Sequence, residues 1–160
     1  MGISRKRMAV TATILAGLAA GAAMMMTLGA GQAMAEPVVT VHSDPNCGCC
    51  SGHVEHMKAS GFDVEHIKTD DMRSIKREHG ITSNLASCHT STVDGYVIEG
   101  HVPASDIRKL LETRPDVAGI AAPGMPSGSP GMENGRVDTY SVLSWKEISG
   151  PTEVFATHPE

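Results

Sequence analysis

Three of the chain's four cysteines stand together as Cys47-Gly48-Cys49-Cys50, and the fourth is Cys88. Cys47 and Cys50 have the C-x-x-C spacing of thiol redox pairs and soft-metal sites, and Cys47 and Cys49 make an overlapping C-x-C. Structural disulfides fit this spacing poorly, because the neighbours Cys49 and Cys50 could bond only in a strained ring. The cluster reads as chemical. Thiolates select Cu(I) or Zn over the harder ions that carboxylates and carbonyls hold. A structural zinc usually draws on two separated cysteine pairs, whereas three thiolates crowded on one turn can bridge several Cu(I) ions. Copper is the better reading, with zinc or a purely thiol–disulfide role as alternatives. In the redox alternative Cys47 and Cys50 are the catalytic pair: Cys47 is the exposed attacking thiol, and the buried Cys50, or else Cys88, resolves.

Other donors are set against plainer roles. His53 and His56 follow the cluster at helical spacing and fit a solvated helix face better than a ligand pair. His42 ends a strand candidate. His89 gains interest from standing beside Cys88, although a loop-shaping role suits it better than ligation, and His66, His79, His101 and His158 have no spacing argument. Met125 and Met132 could be thioether ligands but read more simply as packing residues; Met57 and Met72 read as core. Asp44 fits a turn or cap. No Ser/His/Asp set, phosphate-binding glycine loop or carboxylate pair supports hydrolysis or phosphoryl transfer.

The elements that must position these residues are short. Residues 37–42 (PVVTVH) read as a buried strand, followed by a Ser-Asp-Pro-Asn turn and the cluster. Val54 and Met57 continue from Cys50 at helical spacing until Gly61 stops the helix. The cluster thus lies at a strand-to-helix junction, where unpaired amides and the helix dipole favour thiolate. Residues 62–68 give a second strand, and Thr69 caps a second helix with Asp70 and Asp71 at its start and Lys76 and Arg77 at its end. Asp94-Gly95 is a hairpin turn between residues 90–93 and 96–98. Ser105 caps a third helix carrying Ile107, Leu110 and Leu111. Residues 119–134 form a Pro/Gly/Ser-rich loop with Pro-Gly-Met twice, residues 139–145 a last strand, and residues 150–160 a flexible tail. The order predicts an α/β fold, a mixed sheet with flanking helices.

This order resembles the thioredoxin superfamily. There a cis-proline loop just before the hairpin faces the cysteine pair; the matching place here reads Ser87-Cys88-His89-Thr90. The resemblance implies that Cys88 faces the cluster, with His89 where the proline would stand. That proline helps to keep metal off thioredoxin cysteines, so its absence weakens the reading as an ordinary disulfide reductase. More narrowly, the chain resembles the CopG-type copper-resistance proteins, a bacterial periplasmic family. The matching stretches are the CGCC cluster, Ser87-Cys88-His89-Thr90, VDGYVIEGHVPA at 93–104 and PGMPSGSPGME at 123–133. The resemblance implies copper binding at Cys47, Cys49, Cys50 and Cys88, a possible redox role, and other periplasmic copper-handling proteins as partners.

Composition bounds the rest. Arg5, Lys6 and Arg7, the apolar run from Val10 to Leu28 and the Ala33-Met34-Ala35 junction read as an export signal over residues 1–35. The run approaches the length of a membrane span, but its Ala and Gly content makes it weakly hydrophobic. Cleavage after Ala35 releases a periplasmic chain of about 125 residues, one domain at 36–149 plus the tail, with no remaining membrane contact. The signal holds three of the 13 basic residues and none of the 18 acidic ones, so the mature charge is −8 with His neutral. A nucleic-acid partner is excluded on that ground. Aromatic content is only 3%, so the core must rest on Val, Ile, Leu and Met.

Overall fold

The computed structural model describes residues 37–159; the predicted signal segment lies outside the described residues. The elements run β1 (Val39–Ser43), α1 (Gly48–Ala59), β2 (Val64–Lys68), α2 (Met72–Glu78), β3 (His89–Val93), β4 (Tyr96–Gly100), α3 (Ala104–Thr113), β5 (Gly119–Ala122), β6 (Tyr140–Trp145) and β7 (Thr152–His158). The seven strands form one sheet in the order β2-β1-β3-β4-β5-β6-β7. β1 pairs parallel with β2, as the predicted β-α-β opening requires, β3 pairs antiparallel with β4, as the hairpin requires, and β1 pairs antiparallel with β3. Asp94 and Gly95 both take positive φ (47° and 86°), the backbone that a tight two-residue hairpin turn demands. The fold is the expected thioredoxin-like α/β arrangement with a C-terminal extension.

The core follows from strand alternation and helix periodicity. Val39 and Val41 of β1, Val54 and Met57 of α1, Ile98 of β4, and Ile107 and Leu110 of α3 meet in one buried cluster. A smaller cluster of Leu85, Ala121 and Trp145 forms separately. α1 ends as predicted: Gly61, at φ 93°, lets its own amide donate to the Lys58 carbonyl and the Phe62 amide donate to the Met57 carbonyl, which closes the last turn. Among the described residues no helix is long and apolar enough to cross a membrane.

Several local expectations are corrected. Asp71, not Thr69, caps α2, accepting from the Ser74 amide at 3.1 Å. α2 buries no residue, so Met72 is half-buried and not core. Pro103 stands at the α3 cap position and Ser105 falls inside the helix. The start of the supposed 119–134 loop is β5, which pairs parallel with β4; Gly119 is required there because a Cβ would stand 2.0 Å from the Val97 carbonyl oxygen. The supposed flexible tail forms the edge strand β7, because its backbone completes hydrogen bonding along β6. None of its side chains is fully buried, which hid it from a reading based on apolar pattern.

Candidate metal centre

β1 delivers the chain to a tight turn in which the Asp44 carboxylate accepts from the Asn46 amide at 2.8 Å and the Asp44 carbonyl accepts from the Cys47 amide at 3.1 Å. Asp44 is therefore a turn residue, as read from sequence. Cys47 occupies the N-cap of α1, so Cys49 and Cys50 lie in its first turn. Cys47 and Cys50 form a disulfide with Cα atoms 5.4 Å apart, while Cys49 and Cys88 are free thiols. Cys50 is fully buried.

Cys88 arrives from the segment leading into β3. Its Sγ lies 3.9 Å from that of Cys49, which in turn is 3.5 Å from that of Cys47. All four Sγ atoms lie within 4.8 Å of one another. The thioredoxin-like fold thus brings the distant cysteine to the cluster. Burial first, and then the neighbouring Cys49, push the Cys88 thiol up to about 12, so without a cation it keeps its proton.

Three histidines complete the surroundings. His53 is 1% exposed, and His89 and His101 are fully buried. The solvated-surface reading of His53 is corrected: it shares the inner face of α1 with Val54 and Met57. His56 accepts from the Ala104 amide at 3.2 Å and so satisfies a donor at the start of α3. Burial lowers all three inner rings, His53 to about 4. They are neutral at neutral pH, each with one donor nitrogen and one lone pair.

Backbone carbonyls decide which nitrogen is which. His53 Nε2–H donates to the Val102 carbonyl at 2.8 Å, so its Nδ1 accepts from His89 Nε2–H at 2.9 Å. His89 Nδ1 is left as a lone pair 3.3 Å from Cys88 Sγ. His101 Nδ1–H donates to the Pro130 carbonyl at 2.8 Å, leaving Nε2 as a lone pair 2.9 Å from the same sulfur. Two imidazole lone pairs thus converge on Cys88, whose single thiol proton can serve only one of them at a time. Cys88, His89 and His101 form a second group with metal-ligand spacing, sharing Cys88 with the four-cysteine group.

The second Pro-Gly-Met turn covers this arrangement. Gly131 has φ +83°, and a Cβ on it would stand 2.6 Å from the His53 amide nitrogen and 2.7 Å from the Cys49 carbonyl oxygen. Only glycine lets the loop lie this close to α1, and that approach presents the Pro130 carbonyl to His101. Met125 is 56% exposed and Met132 half-buried, and neither belongs to the Cys/His groups described. Sequence spacing missed His101, whose only local signal was the Gly-His-Val-Pro turn at the end of β4.

The fold and this site define a thioredoxin-like domain in which four cysteine sulfurs lie close enough together to hold a metal ion. A family model described as a protein of unknown function, DUF411, matches residues 85–132. No curated protein matches the chain. Two solved structures, described as forms 1 and 2 of copper resistance protein CopG, are each 46% identical and cover 78% of this chain and 99% of their own, with TM-scores of 0.72 and 0.73. The chain belongs to the CopG copper-resistance family.

Proposed function

We propose that the mature protein is a periplasmic copper-binding protein that holds Cu(I), as a small polynuclear thiolate cluster, at Cys47, Cys49, Cys50 and Cys88. The observation that carries this reading is the convergence of the four sulfurs within 4.8 Å. Soft ligands at this density suit bridged Cu(I), and the described relatives are copper-resistance proteins. His89 and His101 offer nitrogen donors on the Cys88 side. Export by the segment 1–35, with a mature start at Glu36, places the site where it can take up copper or exchange it with other copper-handling proteins.

The Cys47–Cys50 disulfide favours a second, compatible reading as an oxidoreductase. Two Cu(I) ions give one electron each to the disulfide, which takes up two protons; the products are two Cu(II) ions and two thiols. In the reverse direction thiol oxidation removes two of the four ligands and releases the metal. Anaerobic titration of the reduced protein with Cu(I) and Zn(II), followed by elemental analysis, tests the main reading. More than one Cu(I) per chain, bound in preference to zinc, is expected; a one-to-one zinc complex that resists Cu(I) overturns it.

A further inference from the structure

Glu99 is a fully buried carboxylate on β4, a position that costs several kcal/mol unless every oxygen is paired. Its partners explain the burial. Oε1 accepts from the Ser87 backbone amide at 2.6 Å and from Lys76 Nζ at 2.5 Å, and Oε2 accepts from the Thr90 hydroxyl at 2.7 Å. Lys76 Nζ also donates to Thr90 Oγ1 at 3.1 Å. Ser87 and Thr90 are the residues on either side of Cys88-His89. One carboxylate therefore grips both ends of the dipeptide that carries a sulfur and an imidazole to the cluster.

The surrounding backbone is fitted to the same grip. Gly100, at φ +75°, leaves room for Ser87: a Cβ there would stand 2.4 Å from its Oγ. The Ser87 hydroxyl in turn donates to the Gly124 carbonyl at the first Pro-Gly-Met turn. Where a thioredoxin loop is stiffened by proline, this loop has His89, whose imidazole does not lock its own backbone. A buried charged anchor supplies the rigidity and leaves the face toward the cysteines open.

We infer that Glu99 is the positioning residue of the metal centre, holding the 87–90 segment so that Cys88 Sγ stands against Cys49 Sγ. The inference rests on the copper reading only for the purpose of that placement; the placement itself is measured without metal. In a Cys47→Ser/Cys50→Ser background Cys49 and Cys88 are the remaining thiols. Oxidised glutathione forms a mixed disulfide with one of them, releasing one reduced glutathione, and the other thiol then displaces the second; the rate of that ring-closing step, followed from the isolated mixed disulfide, is set by how closely the loop holds the two sulfurs.

Glu99→Ala is expected to slow this closure at least ~10-fold. Glu99→Gln, whose amide can accept from Ser87 and donate to Thr90 Oγ1, should restore it to within ~3-fold. Leu110→Ala, which removes buried side chain from α3, lowers stability and should leave the closure rate unchanged; that contrast separates positioning from general loss of structure. Should Glu99→Ala fold poorly, Thr90→Val removes one arm of the grip with little change of shape and should slow closure ~3-fold. Closure at the parental rate in folded Glu99→Ala or Thr90→Val overturns the inference, as does equal slowing in Leu110→Ala. Cu(I) titration of Glu99→Ala in the four-cysteine chain is the separate arm: slowed closure with unchanged copper binding upholds the positioning role and counts against Cys88 as a copper ligand.

Discussion

Cys49 and Cys88 are 39 residues apart in sequence, yet their sulfurs lie 3.9 Å apart in the folded chain. Neither is in the disulfide, so they form the thiol half of the centre, and Cys47 and Cys50 form the half that oxidation closes. On the proposed copper reading, copper capacity depends on redox state. The oxidised protein should show two alkylatable thiols and the reduced protein four, with Cu(I) stoichiometry falling by at least half on oxidation. Mass spectrometry after alkylation, paired with copper analysis, checks both; equal copper binding in the two states would separate the disulfide from the metal site.

Stability should fall with acid over a window set by the histidines. Burial lowers His53 from 6.5 to about 4, and lowers His89 and His101 as well. Below about pH 6.5 the unfolded chain takes up protons that the folded one refuses, so stability is full above that value and is lost as pH drops toward 4. His53 alone accounts for about 2 kcal/mol by pH 5. Urea midpoints of the metal-free protein at pH 7.5 and 5 measure this, and a flat profile would show that the three rings are not held neutral.

Gly131→Ala should damage both stability and metal binding. The new Cβ meets the His53 amide and the Cys49 carbonyl at a positive-φ position, a strain of about 1–3 kcal/mol. Relief by moving the loop takes the Pro130 carbonyl away from His101 Nδ1. Urea denaturation and Cu(I) titration should both register the change, whereas Gly135→Ala, at a positive φ with open space around its Cβ, should register only the backbone cost.

His101→Ala removes the closer of the two lone pairs on Cys88 and should weaken copper binding about 10- to 100-fold. Competition against a colorimetric Cu(I) chelator measures it, and parental affinity would confine His101 to a packing role.

The cluster was legible because chemistry and local spacing coincide in Cys47 to Cys50, and Cys88 because the hairpin after it fixes its place in a thioredoxin-like order. The histidines were missed. His53 follows Cys50 by three residues and precedes Met57 by four, so helical spacing puts it on the buried face of α1, and only its polar ring argued for the surface; His101 comes from the end of a different strand. The Glu99 anchor is likewise a product of tertiary pairing, since nothing around it in sequence marks a buried acid. β5 escaped because Gly-Ile-Ala-Ala offers a single β-branched residue and begins at a glycine that sheet packing demands, and β7 because its half-buried and exposed positions do not alternate strictly.

The central claim is that four cysteines, one of them distant, make a single copper site, and Cys88→Ser tests it most directly. The substitution leaves the hairpin and the apolar core untouched, so circular dichroism should match the parent. Anaerobic Cu(I) titration of the reduced variant should then give fewer ions per chain or markedly weaker binding, comparable to the loss in Cys47→Ser. Copper bound with parental stoichiometry and affinity would contradict the account.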